Sequence, residues 1–241
     1  MISIVPQSDR SYRIFRSGQD MGCITVSRNP YHNQHFRLKL ELAQYDPSMA
    51  QKLFLRLRKE LGHPLQVMLY STEGMHDFLI AGGFVRKRRC YEIQVWSSNL
   101  TAPVLPSVPL TLAKKGSPEY AACCTLLYEY YSDTHRPVSP LTAAPAAFCA
   151  NLPDTVLCHM ADGKPIHFAF IAREDTGCEI AYVGTTIPSD CHGFAQSLVW
   201  ELFQECDFLT MECDDCDPAA MEIKSLFCPS EEDPYDTYIL D

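Results

Sequence analysis

The sequence predicts an α+β protein in two halves, and three observations support this. Strand-like alternation and helix-period stripes follow one order in both halves: hairpin, strand, helix, strand, helix, strand. The chain of 241 residues suits one large domain or two of about 120 residues, each able to bury a core of its own. A connector, Ser97–Pro109, carries Pro103, Pro106 and Pro109 and marks the boundary. The predicted division is residues 1–98, a linker over 99–109, and residues 110–241.

In the first half, Tyr12–Arg16 and Gly22–Ser27 alternate around Ser17-Gly-Gln-Asp20, which predicts a hairpin. Phe36–Leu42 alternates strictly and reads as a half-buried strand. Met49, Leu53, Leu57 and Leu61 recur every fourth residue, with Phe54 alongside, giving one apolar helix stripe that ends at Gly62. Leu65–Tyr70 is a short apolar strand, Met75–Ala81 a helix closed by Gly82-Gly83, and Tyr91–Trp96 a further strand.

In the second half, Leu110–Ala113 reads as a strand. Ser117-Pro-Glu opens a helix running to about Tyr131, and Leu141–Ala150 reads as a second, Ala-rich helix. Thr155–Met160 and Ile166–Ile171 flank the turn Ala161-Asp-Gly-Lys164. A strand Glu179–Ile187, a turn Pro188–Gly193 and a helix Phe194–Glu205 come next, then a strand Phe208–Glu212 and a helix opening at Asp217. An acidic loop, Ser230–Asp236, leads to a last strand, Thr237–Leu240.

The stretch from Glu179 to Glu205 carries the main chemical signal. A strand feeding a helix through a Gly-containing turn aims free N–H groups and the positive end of the helix dipole at one point, which suits a phosphate. Gly193 and Ala195 are small where a ligand must approach the main chain. His192, just before the glycine, is a candidate phosphate contact or base.

Asp190-Cys-His-Gly193-Phe-Ala195 resembles the pyrophosphate loop of GNAT-type N-acetyltransferases: Gln or Arg, two residues, Gly, any residue, Gly or Ala. Asp217-Pro-Ala-Ala220 is similar to the Asn-x-x-Ala that opens the family's next helix, and Gly83-Phe84 to the Gly-Phe that closes it in the first half. The resemblance implies two tandem GNAT-like domains, each a mixed, mostly antiparallel sheet flanked by helices in three layers. The N-terminal domain is degenerate: it lacks the initial helices, and its turn Tyr45-Asp-Pro-Ser48 has no glycine. The implied activity is transfer of an acetyl group from acetyl-coenzyme A to an amine of a small molecule or peptide. The implied coenzyme contacts are Val183, Gly184 and Thr185 on a splayed strand, then Cys191, His192, Gly193, Phe194 and Ala195, then Asp217 and Ala220. Glu179 is the implied base and Tyr182 the acid, with Tyr235 and Cys228 as further acids. Three positions depart from the pattern: Asp190 replaces Gln or Arg, Asp217 replaces Asn, and Lys224 stands where the family has an acid tyrosine. These departures support an alternative, a non-catalytic GNAT-like binding module.

A formal charge of −10 argues against nucleic acid as partner, because such binding rests on neutralising phosphates. The run Arg86-Lys-Arg-Arg89 is the one concentrated positive charge, a candidate for the coenzyme's 3′-phosphate or for a solvated strand end. No apolar run approaches the ~20 residues that span a bilayer, and no secretory leader is evident, so a cytoplasmic protein without a membrane partner is expected. In that compartment the twelve cysteines stay reduced. Most lie in apolar runs as small buried hydrophobes. Cys213-Asp-Asp-Cys216 has zinc-ligand spacing, but nothing completes a set of four, so no metal is expected. Tyr128, Tyr131 and Phe148 are candidates for a pocket lining or for packing.

Overall fold

The structure is a computed structural model that describes residues 2–70, 74–229 and 233–241. It divides into two compact units. One comprises Met1–Arg89, Arg136–Ala143 and Pro234–Asp241; the other comprises Cys90–His135 and Ala144–Asp233.

The first unit contains strands β1 (Ile2–Ser8), β2 (Ser11–Arg16), β3 (Gln19–Ser27), β4 (Phe36–Leu42) and β5 (Leu65–Tyr70), and helices α1 (Pro47–Leu61) and α2 (Met75–Ala81). β1 to β4 pair antiparallel in sequence order, and β4 and β5 pair parallel. The β2–β3 turn is the two residues Ser17 and Gly18, with φ of 49° and 85°, as a hairpin of right-handed twist requires. Asp46 caps α1 by accepting from Ser48 N, Pro47 occupies its first position, and Gly62 ends it at φ 69°. Most of the predicted stripe is buried: Met49, Leu53, Phe54 and Leu57 join strand residues in one core, and Leu61 packs against it partly exposed.

The second unit contains the end of β6 (Val85–Trp96), then β7 (Thr111–Lys114), α3 (Pro118–His135), α4 (Pro145–Cys149), β8 (Thr155–Ala161), β9 (Lys164–Arg173), β10 (Gly177–Thr185), α5 (His192–Leu202), β11 (Phe208–Asp214) and α6 (Pro218–Ser225). β7 to β10 pair antiparallel in order, β10 and β11 parallel, and β11 and β6 antiparallel. Asp162 and Gly163, at φ 51° and 73°, make the β8–β9 turn. α3, α5 and α6 contribute to a second core that includes Phe194, Leu198, Leu209 and Ile223. Each unit is thus built on a mixed, mostly antiparallel sheet with helices, the α+β class predicted.

The last strands depart from the simple two-half plan. β12 (Asp233–Leu240) pairs antiparallel with β5, so the end of the chain completes the first unit's sheet. β6, which follows α2, pairs with β11 in the second unit. Alternation shows that a segment is a strand but not which free edge it takes.

Other differences are local. β1 has no clean alternation and contains Pro6, beside which the pairing shifts register, as an edge strand tolerates. The basic run Arg86–Arg89 lies within β6, where Arg86 and Arg89 pair with Asp236 and Arg88 donates to Thr237. The helix expected over 141–150 shrinks to α4, because Ala144 precedes a proline and is held extended (φ −66°, ψ 150°). The strand expected over 179–187 ends at Thr185, and α5 begins at His192 and stops at Leu202, so Gly193 belongs to the helix and not to the turn. Residues of the 99–109 connector are bonded within the second unit. Thr101 N donates to Leu226 O, and Ser107 N and Val108 N donate to Ser197 Oγ at 2.9 and 3.0 Å. Of the acidic loop, residues 230–232 lie outside the described residues. Among the described residues no helix is long and apolar enough to cross a membrane.

Candidate functional site

β10 pairs with β9 from Cys178↔Arg173 to Thr185↔His167, with Ala181 as one extra residue between Ile180 and Tyr182. Such a bulge bends a strand and re-aims the side chains beyond it. On its other edge β10 pairs with β11 only over Gly177–Ile180, opposite Phe208–Met211, whereas β11 stays paired with β6 to Asp214↔Cys90. Past Ile180 and Met211 the parallel strands part. Among the described residues, the main chain of Val183–Thr185 then has no strand partner on that side.

Val183 is buried in the second core. Gly184 has no room for a side chain, since a Cβ would lie 2.5 Å from the Phe168 ring. Thr185 Oγ1 accepts from Ile187 N at 2.9 Å and bonds His167 Nδ1 at 2.8 Å. Burial, then the neighbouring His159, holds the His167 imidazole below its ordinary value.

A short 3₁₀ turn, Pro188–Asp190, leads into α5, which no side chain among the described residues caps. Its first i→i−4 bond runs from Ala195 N to Cys191 O at 2.9 Å, so the N–H groups of His192, Gly193 and Phe194 have no carbonyl one turn back. His192 Nδ1 lies 2.6 Å from Glu222 Oε1 of α6. The Cys191 thiol donates to Pro188 O, and burial, then Glu222, pushes its pKa up. The smallness of Gly193 is used by the connector. Ser107 Oγ donates to Gly193 O at 3.0 Å, and a Cβ on Gly193 would lie 2.8 Å from that hydroxyl. Phe194 and Ala195 turn into the core.

Asp217 caps α6, accepting from Ala219 N and Ala220 N at 3.0 and 3.1 Å, and Tyr130 OH donates to it at 2.6 Å. Burial raises the Asp217 carboxyl above its ordinary value, opposed first by the Tyr130 hydrogen bond. Ala220 is buried behind the cap.

Glu179 is exposed before the bulge. It pairs with Thr210, which pairs with Gln94, and two residues on Glu212 pairs with Glu92. Residues two apart share a strand face, and these five side chains line a hollow of about 320 Å³. Tyr182, just past the bulge, joins an aromatic cluster. Its ring lies 6.1 Å from Tyr131 and 5.8 Å from Phe148, which also contacts Tyr128.

Sequence reading missed a buried pair beside this cluster. His135 Nε2 lies 3.2 Å from Asp214 Oδ2, and its ring stacks on Tyr131 at 3.7 Å. The four-residue spacing of Tyr131 and His135 on a helix was a visible signal. Nothing in the sequence joins them to the end of β11. The structure therefore gathers Cys191, His192, Gly193 and Phe194 at the start of α5 and leads Val183–Thr185 towards them along β10. Glu179 lies in the acidic hollow and Tyr182 among the aromatic rings. Tyr235 is in the first unit, against Tyr70, Cys228 is exposed, and Lys224 lies over the Tyr91 ring. Among the described residues no group of three or more His, Cys, Asp or Glu could hold a metal ion. Cys213 is buried, which pushes its thiol up to about 12.

No family model matches the chain, and no curated protein matches it. Solved structures do. A GCN5-related N-acetyltransferase from Sphaerobacter thermophilus aligns over 98% of this chain and 82% of its own, at 10% identity and TM-score 0.54. A functionally unknown conserved protein from Staphylococcus epidermidis aligns over 99% and 93%, at 11% identity and TM-score 0.54. A tandem GNAT protein from the clavulanic acid biosynthesis pathway, solved without AcCoA, aligns over 95% and 82%, at 10% identity and TM-score 0.50. At these identities the likeness is one of fold, and the chain has the fold of the tandem GCN5-related N-acetyltransferases.

Proposed function

We propose that the protein is an acyl-coenzyme A-dependent N-acyltransferase that moves an acetyl group from acetyl-coenzyme A to an amine of a small molecule or peptide. Its second unit carries the reaction, and the first is a degenerate companion domain. The observation that carries this reading is the parting of β10 from β11 at the Ala181 bulge, on a strand that leads to a helix with three uncapped N–H groups. Those amides suit the oxygens of a pyrophosphate. The carboxylates of Asp190 and Glu222 oppose an anion there, and Glu222 is engaged by His192 Nδ1.

In this reading the coenzyme supplies the thioester, and the chain's own groups do the rest. The N–H groups of His192, Gly193 and Phe194 hold the phosphates, with Cys191 and Ala195 shaping that turn. The open main-chain edge of Val183–Thr185 holds the pantetheine arm and donates to the acyl oxygen. Glu179 takes a proton from the acceptor's ammonium, directly or through water, leaving the free amine to attack, and Tyr182 protonates the leaving thiolate. Asp217 keeps α6 and Ala220 in place by its cap. We place the reaction in the cytoplasm, where the twelve unbridged thiols stay reduced.

Calorimetric titration with acetyl-coenzyme A, with desulfo-coenzyme A as control, tests the reading. Saturable micromolar binding supports it. Absence of both heat and a thermal shift at millimolar ligand overturns it, because a ligand that binds only the native state must stabilise it. The contact of His192 with Glu222 favours a second reading, a GNAT-like binding module without this chemistry. The variant Glu222→Gln separates the two. It should tighten coenzyme binding several-fold in an acyltransferase and change nothing in a module that does not bind the coenzyme.

A further inference from the structure

One polar row crosses three strands of the second unit. Thr185 of β10 pairs with His167 of β9, and His167 pairs with His159 of β8. Directly opposite residues of antiparallel strands share a face, and here the three side chains meet in turn. His167 Nδ1 lies 2.8 Å from Thr185 Oγ1, and the His159 ring lies 5.7 Å from the His167 ring at an angle of 17°. Phe194 of α5 packs near-parallel to the same imidazole at 5.6 Å. His167 and Thr185 are 2% and 4% exposed, so their contact is buried.

The hydrogen count fixes the direction of that contact. A threonine hydroxyl has one proton to give and two lone pairs that accept. Thr185 Oγ1 already accepts from Ile187 N at 2.9 Å, and the one acceptor it meets among the described residues is His167 Nδ1. With a proton on Nδ1 the buried hydroxyl would have nothing to donate to, which is costly. Both groups are satisfied when Thr185 donates to a bare Nδ1, with His167 neutral and its proton on Nε2. We infer that His167 is a positioning residue: it orients the Thr185 hydroxyl onto Ile187 N and so holds the bend between the open end of β10 and the start of α5.

The consequence for a ligand rests on the acyltransferase reading above, in which Thr185 and the amides of His192, Gly193 and Phe194 hold the coenzyme. Protonation turns Nδ1 from acceptor to donor, strands the Thr185 proton and loosens the bond to Ile187 N. His159, from β8, opposes that charge, and Asp190, in the turn before α5, favours it. Phe194 from α5 and Thr185 from β10 bring none. Burial, then His159, holds the imidazole below its ordinary value of about 6.5. The contact is therefore intact at neutral pH and released in acid, and coenzyme affinity falls with it.

The test is ¹⁵N NMR of the ligand-free full chain from neutral pH to about pH 5, with acetyl-coenzyme A titrated in parallel. His167→Asn keeps an acceptor oxygen where Nδ1 stood and does not titrate, whereas His167→Leu offers no acceptor. Wild-type His167 should show a bare Nδ1 at neutral pH, and exchange protection of the Ile187 amide should be lost as the imidazole titrates. His167→Asn should keep that protection throughout, and His167→Leu should lack it at every pH. Coenzyme affinity should fall several-fold in acid for the wild type and stay level for His167→Asn. A protonated Nδ1 at neutral pH overturns the inference, as does Ile187 protection, or coenzyme affinity, that stays level in the wild type while His167 titrates. Protection that behaves as expected with no coenzyme binding at any pH leaves the role of His167 standing and overturns the acyltransferase reading instead.

Discussion

The two crossovers β4–α1–β5 and β10–α5–β11 share a topology and differ in chemistry. In each, a helix joins two parallel strands that pair briefly, over Phe36–Leu38 in one and Gly177–Ile180 in the other. The N-terminus of α1 is closed: Pro47 brings no N–H, and Asp46 accepts from Ser48 N while its carboxylate also pairs with Arg16. The N-terminus of α5 has no such cap. The fold supplies a helix dipole in both places, and one or two side chains decide whether it is spent internally or left for a ligand.

The largest effect expected from breaking this comparison is at Gly184. Gly184→Val drives a side chain into the Phe168 ring at the parted end of β10 and should cost about 3 kcal/mol, read as a fall in the denaturation midpoint. Asp46→Ala removes the α1 cap and the Arg16 partner and should cost about 1–2 kcal/mol. It should leave acetyl-coenzyme A affinity unchanged, which titration of the variant checks.

A smaller pair of effects concerns pH. Asp236 in the first unit is held below its ordinary value by Arg89 and Arg86, against the opposing pull of burial. Its stabilisation is complete above the unfolded carboxylate pKa of about 4 and is lost as pH falls through the folded value. Asp217 in the second unit is raised by burial, so its contribution falls as pH rises from the unfolded carboxylate pKa of about 4 through the higher folded value. Asp236→Asn should therefore flatten the acid side of a Tm-against-pH curve. Asp217→Asn keeps a cap oxygen and should raise Tm at neutral pH, with the gain vanishing in acid. Equal responses of the two variants would remove the contrast.

The elements whose signal is local were legible in the sequence. β4, β5 and α2 coincide with the expected residues, because alternation, an apolar run and a double glycine are written within a few positions. What depends on distant partners was not. The assignment of β12 to β5 and of β6 to β11 is a choice between open edges. The arginines of β6 find their carboxylate only because Asp236 arrives on β12. In the candidate site, the strand and the helix start were visible. The contact of His192 with Glu222, the Ser107 hydroxyl against Gly193 and the His135–Asp214 pair each join residues far apart in the chain.

The central claim is that the second unit's open helix start takes the coenzyme and the first unit's closed one does not. Amide chemical shifts of ¹⁵N-labelled protein, followed as acetyl-coenzyme A is added, test it directly. The account predicts saturable shifts at His192, Gly193 and Phe194 and along Val183–Thr185, with Ser48, Met49 and Ala50 unmoved. Shifts confined to the start of α1, or none at either helix, would contradict it.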